Sequence, residues 1–143
     1  MKEISDDTHE LLENLVESTI QNWDIDKELV DDCFPLEKPY RTRATDALLT
    51  VETRMRKKLK LGRSRVGVDI VDDARRLGVF KRSDPSEEQG IQLLFRGSVQ
   101  GMRNVLVHNK PEMNKQEAIT IILFADYLIK LFETLCKENK IKP

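Results

Sequence analysis

Residues 114–137 constrain the fold more than any other part of this chain, because they read as one helix that is apolar on almost every side. Asn114 and Glu117 have the spacing of a capping box at its start. Behind them the run from Ile119 to Leu135 is the most apolar in the chain. A helix that is hydrophobic all round belongs in the interior of a bundle, with other helices around it. Asp126, Lys130 and Glu133 recur along the stretch, so it reads as a core helix and not as a membrane span.

The rest of the chain supplies those neighbours. Residues 7–23 place Leu11, Leu12, Leu15, Val16, Thr19, Ile20 and Trp23 at helical period, and Asp7 and Glu10 stand at capping-box spacing. A short helix is expected over residues 26–33, followed by a linker punctuated by Pro35 and Pro39. A third helix, over residues 42–61, should bury Ala44, Ala47, Leu48, Val51, Met55 and Leu59, and Gly62 stands where a C-terminal cap belongs. Residues 66–77 read as a shorter helix ended by Gly78. The fifth helix has the clearest start: Asp84 as N-cap, Pro85 at the first helical position and Glu87 closing the box. It should run to the neighbourhood of His108, with Pro111 preventing much continuation. The expected fold is all-α, a bundle of about five to six helices.

A chain of 143 residues is one domain by length, divided at most into an acidic helical arm (residues 1–38) and a bundle (residues 39–143). The formal net charge of −1 hides an asymmetry. Residues 1–37 hold 2 Lys/Arg against 12 Asp/Glu, whereas residues 38–110 hold 17 against 8. A basic body is what a polyanion partner needs, although a charge run also serves simply as a solvated face. The arm's apolar period says that it packs as a docked helix. Cys33 and Cys136 have no metal-ligand spacing, and reduced thiols in a cytoplasmic protein are the expectation. The acidic N-terminus matches neither a secretory signal nor a mitochondrial presequence. No cofactor, metal or membrane contact is expected.

One stretch carries chemistry. Residues 103–108, RNVLVH, set a permanent cation, an amide and an imidazole within six residues. At about 100° per residue, Asn104 and His108 share a helical face, and the long stem of Arg103 brings its guanidinium round to that side. Arginine offers phosphate a fork of donors, and imidazole moves a proton near neutral pH. Alone, His108 equally suits a helix end stabilised by the macrodipole. Arg96, seven residues before Arg103, falls on nearly the same stripe, and Lys110 follows the motif. Gly97 and Gly101 leave a flat strip beside Asn104 and His108, open to close packing either within one chain or between two. Glu52, at the margin of the third helix's apolar stripe, needs a cation, with Arg96 and Arg103 as candidates. The basic run Arg54, Arg56, Lys57, Lys58, Lys60, Arg63 and Arg65 suits a helix C-terminus on dipole grounds and also an RNA-guiding patch.

Arg103 followed by Asn104 and, five positions after the arginine, His108 resembles the RxxxxH motif of the HEPN superfamily. Residues 40–57 (YRTRATDALLTVETRMRK) and 68–74 (VDIVDDA), with Glu88-Gln89-Gly90 and Leu94-Phe95-Arg96-Gly97, resemble the Ymh-type family of conserved hypothetical proteins within it. The similarity spans roughly residues 40–135. The resemblance implies metal-independent RNA cleavage in a prokaryotic defence or toxin–antitoxin setting, at a site formed where two copies of the motif helix face each other. On that reading Arg103, Asn104 and His108 are catalytic, while Arg96, Lys110 and Glu52 contact substrate. The implied partners are RNA, a second copy, and an antitoxin or defence-complex protein. Val105 stands where relatives often have proline. Lys110 replaces the tyrosine of toxins paired with a nucleotidyltransferase, which argues against that class. The rival reading is a non-catalytic binding module, or a regulatory subunit with the arm as its docking element.

Overall fold

Six α-helices follow one another in the computed structural model, which describes residues 5–106 and 112–142. They are α1 (Asp6–Gln21), α2 (Lys27–Cys33), α3 (Tyr40–Lys58), α4 (Val68–Arg76), α5 (Pro85–Arg96) and α6 (Lys115–Glu138). No strand occurs among the described residues. None of the helices is long and apolar enough to cross a membrane. The all-α bundle expected from the sequence is the observed fold.

Helix α6 lies at the centre. Ala118, Ile119, Ile122, Ala125, Leu128, Ile129, Phe132 and Leu135 are all buried, and α3 is its principal neighbour. Ala44, Ala47, Leu48, Val51 and Met55 of α3 are buried too, and the two alanines let the helices approach closely. Leu29 and Cys33 of α2, Ile70 and Ala74 of α4, and Phe95 of α5 complete the same core. Phe80, in the connection between α4 and α5, sets its ring 5.3 Å from that of Phe95. Asn114 caps α6 as expected, accepting from the Glu117 amide at 2.8 Å.

Arg54 ties three helices together. Its guanidinium reaches Asp26 at 2.7 Å, Glu28 at 2.8 Å and Glu133 at 2.6 Å, joining α3 to the start of α2 and to α6. Arg54 and Asp26 are mostly withdrawn from water, so each depends on the other to keep its charge compensated.

Two expectations need correcting. Helix α1 is capped by Ser5 and not Asp7, and it meets the body through its polar edge. Glu17 is buried against Lys115 at 2.6 Å and accepts from the Leu36 amide at 2.7 Å. Of the apolar period expected to pack, only Ile20 is buried. Leu11, Leu12, Leu15, Val16 and Trp23 remain exposed. The buried ion pair sets the helix's rotation and turns the leucines outward. The fifth helix is also not uniform. Beyond Arg96 it widens into a π-helical turn, Gly97–Met102, before continuing to residue 106. Ser98 contributes by donating its hydroxyl to the Leu94 carbonyl at 2.7 Å, and two glycines ease the wider turn.

Replacing Arg54 with methionine is expected to lower stability by about 2–3 kcal/mol, since it strands the carboxylate of Asp26 inside the structure. Urea denaturation measures this, and a loss below about 0.5 kcal/mol would show that the three-way ion pair is a surface ornament.

Candidate functional site

Glu52 and Arg103 meet where α3, the start of α4 and the π turn of α5 converge. Glu52 is only 3% exposed, an unusual position for a carboxylate. Its Oε1 lies 3.6 Å from Arg103 Nε, and its Oε2 accepts from the Gly67 amide at 3.4 Å. Of the two cations the sequence offered to Glu52, the structure selects Arg103. Arg96 turns away to Asp72 at 2.9 Å. The reason is the π turn between them, whose wide register breaks the 100° step that would have set Arg96 and Arg103 on one stripe.

Gly67 is called for by its backbone conformation. It is the N-cap of α4 with φ +54°, a conformation that L side chains rarely adopt, and a Cβ placed there would lie 3.9 Å from Arg103 Nη1. The preceding turn is fixed by Arg65, which binds Asp73 through Nε at 2.8 Å and Nη2 at 3.0 Å, and by Arg56, which donates to the Arg65 carbonyl at 3.0 Å. The Arg65 hydrogen bond, assisted by Arg76, holds the Asp73 carboxyl below its ordinary range. Sequence reasoning ran the fourth helix straight through Gly67 and missed this unit. Glycine is acceptable at an N-cap, and Arg65 and Asp73, eight apart, were the available signal.

Arg103 keeps about a third of its side chain in contact with solvent, and Glu52 is its ionic partner among the described residues. Asn104, the next residue, is exposed. Gly97 and Gly101 are exposed as well, and among the described residues nothing lies within 4 Å of a Cβ built on either, so none of them packs on the flat strip. His108 and Lys110 lie outside the described residues.

The basic run on α3 divides in the structure. Arg54, Arg56 and Arg65 are committed to the internal contacts above, which leaves Lys57, Lys60 and Arg63 exposed. The patch available to a polyanion is therefore smaller than the sequence count implied. Cys33 and Cys136 are free and buried. Burial, with Asp46 next in weight, pushes the Cys33 thiol up to about 12, and burial pushes Cys136 to about 11. Both are neutral thiols near pH 7, the opposite of an activated nucleophile. Among the described residues no group of three or more His, Cys, Asp or Glu is placed to hold a metal ion. A cleft of about 1170 Å³ lies elsewhere, between α1 and the starts of α3 and α6, and Glu52, Arg96, Arg103 and Asn104 do not border it.

A family model described as "Protein of unknown function (Hypoth_ymh)" matches residues 23–132, most of the chain, which therefore belongs to that family. No curated protein and no solved structure matches.

Substituting Gly67 with alanine is expected to cost about 1–3 kcal/mol, because its φ is unfavourable for any side chain. Thermal unfolding tests this, and an unchanged or raised melting temperature would mean that the turn relaxes freely.

Proposed function

We propose that this member of the Hypoth_ymh family is a metal-independent RNA endonuclease of HEPN type that works as a homodimer. One observation carries the reading. Arg103 faces a buried carboxylate on its inner side while part of it still meets solvent, beside exposed Asn104 and the exposed glycines of the strip. An arginine placed in this way keeps part of its fork available to phosphate. The sequence places His108 four residues after Asn104, and we assign it to the same phosphodiester.

In this mechanism the ribose 2′-hydroxyl attacks the adjacent phosphorus and gives its proton to a histidine acting as base. The P–O5′ bond breaks, and the leaving oxygen takes a proton from an acid, leaving a 2′,3′-cyclic phosphate and a 5′-hydroxyl. An imidazole with an ordinary pKa near ~6.5 serves either role near neutral pH. Two copies of His108, brought together by a two-fold axis, divide the two roles. Arg103 stabilises the charge that builds on the phosphorane oxygens. Asn104 orients His108 or contacts the phosphate. Glu52 acts through Arg103 and does not contact substrate. Lys110 extends the phosphate track, while Arg96, paired with Asp72, lies off the Arg103 stripe. The defence or toxin–antitoxin setting, and a neutralising partner, rest on the resemblance alone.

The second reading, a non-catalytic binding module, draws on the same contact, because an arginine paired with a buried glutamate also serves to hold helices together. Cleavage separates the two. Purified protein in EDTA is expected to cut RNA and leave cyclic or 3′-phosphate ends. His108→Ala should lower the rate roughly 30- to 1,000-fold, corresponding to about 2–4 kcal/mol of transition-state stabilisation. Arg103→Lys is the better arginine variant, since Arg103→Ala would leave Glu52 buried and uncompensated. Products with 5′-phosphate ends, or a strict Mg²⁺ requirement, would defeat the mechanism.

Assembly gives a separate test. Gly101→Leu puts a bulky side chain where the monomer has space, so the fold should tolerate it while a dimer seam along that strip would not. Association by light scattering and RNA cleavage should fall together. A wild-type monomer that is fully active at micromolar concentration rules out the shared site.

A further inference from the structure

The Glu52–Arg103 contact is under-used in a specific way. Arg103 Nε and Glu52 Oε1 face each other at 3.6 Å, too long for a hydrogen bond, and both atoms are shut off from water with no hydrogen-bond partner. Among the described residues, the other oxygen of Glu52 has the long 3.4 Å bond from Gly67. Leaving a buried donor and acceptor unpaired is destabilising, and apolar side chains of similar volume in place of both residues would remove the problem. Stability alone does not account for a carboxylate here. Yet three parts of the fold converge on it: α3 supplies Glu52, the strained N-cap of α4 supplies an amide, and the π turn delivers Arg103. Hydrogen bonds used in catalysis are often long in the ligand-free protein and tighten when ligand binds.

We propose that Glu52 is a positioning residue for Arg103: when a phosphate group binds the outer edge of the guanidinium, the Arg103–Glu52 gap closes into an N–H···O hydrogen bond that fixes the orientation of the fork. The inference rests on the phosphodiester reading above. The planar fork carries donors enough for both acceptors at once, so a phosphate on the outer edge leaves Nε free to bond the carboxylate. Anchoring from both sides also removes the rotation that would spread Arg103 over several positions relative to phosphorus, and misplacement on the order of 1 Å is enough to cost about 100-fold in rate. Glu52 transfers no proton in this scheme.

The test compares wild type with Glu52→Gln, which keeps the acceptor oxygen, and Glu52→Met, which keeps the volume and removes both charge and acceptor. Inorganic phosphate is titrated into ¹⁵N-labelled protein while the Arg103 Nε–Hε resonance is followed. In the wild type that resonance should shift and become protected from solvent exchange on saturation. In Glu52→Met it should gain no protection, and Glu52→Gln should fall between. In RNA cleavage, kcat should drop about 10- to 100-fold in Glu52→Met, with KM changed less than about threefold. Glu52→Gln should recover part of that loss, and circular dichroism should show Glu52→Met folded at the assay temperature. An Nε–Hε signal that does not respond to phosphate in the wild type overturns the proposal, as does a folded Glu52→Met with wild-type kcat. The resonance is read without any turnover, so a wild type that closes the gap but cuts no RNA would sink the nuclease reading and leave the positioning role standing.

Discussion

The seam between α3 and α6 is the contact from which the rest of the structure follows. An all-round apolar helix must be enclosed, and α3 covers it along most of its length with Ala44, Ala47, Leu48, Val51 and Met55. Once that seam is fixed, Glu52 has no route to water. It follows Val51 by one residue on α3 and therefore sits at the edge of the buried stripe. Its burial forces some other element to bring a compensating charge, and the π turn that follows α5 brings Arg103. The candidate site is thus a consequence of how the core is closed.

That dependence connects stability with function. Arg54 and Glu52 are both on α3, but their surroundings differ. Arg54 is saturated by three carboxylates at short distances, the arrangement expected of a structural tie. Glu52 and Arg103 hold opposite charges at 3.6 Å with their hydrogen-bonding atoms unsatisfied. An interaction selected for stability would resemble the first. Strain of the second kind, gathered beside a positive-φ N-cap and a π turn, is more typical of sites where geometry is kept for use.

Helix α1 shows how one buried ion pair overrides a hydrophobic period. The leucines at 11, 12 and 15 form a regular stripe, and pattern alone would dock it on the body. Glu17 and Lys115, both mostly buried and 2.6 Å apart, fix the rotation of the helix instead, and Asn14 supports them by accepting from Lys115 at 2.8 Å. The acidic arm is accordingly joined to the body by polar contacts, with Ile20 as its buried apolar anchor.

The sequence alone determined the helical class, the central place of α6, the caps at Asp84 and Asn114, and the stretch in which Arg103 and Asn104 lie, because each depends on periodicity and on groups within a few residues of one another. It also narrowed the partner of Glu52 to two arginines. Only the tertiary structure decided between them, broke the Arg96–Arg103 stripe at the π turn, spent Arg54, Arg56 and Arg65 on internal contacts, and turned the apolar face of α1 outward. These outcomes depend on residues from 8 to 101 positions apart along the chain, such as Arg65 with Asp73 and Asn14 with Lys115. A charge finds its counter-ion by where packing places it, and helical period carries no information about that across a turn whose register has changed.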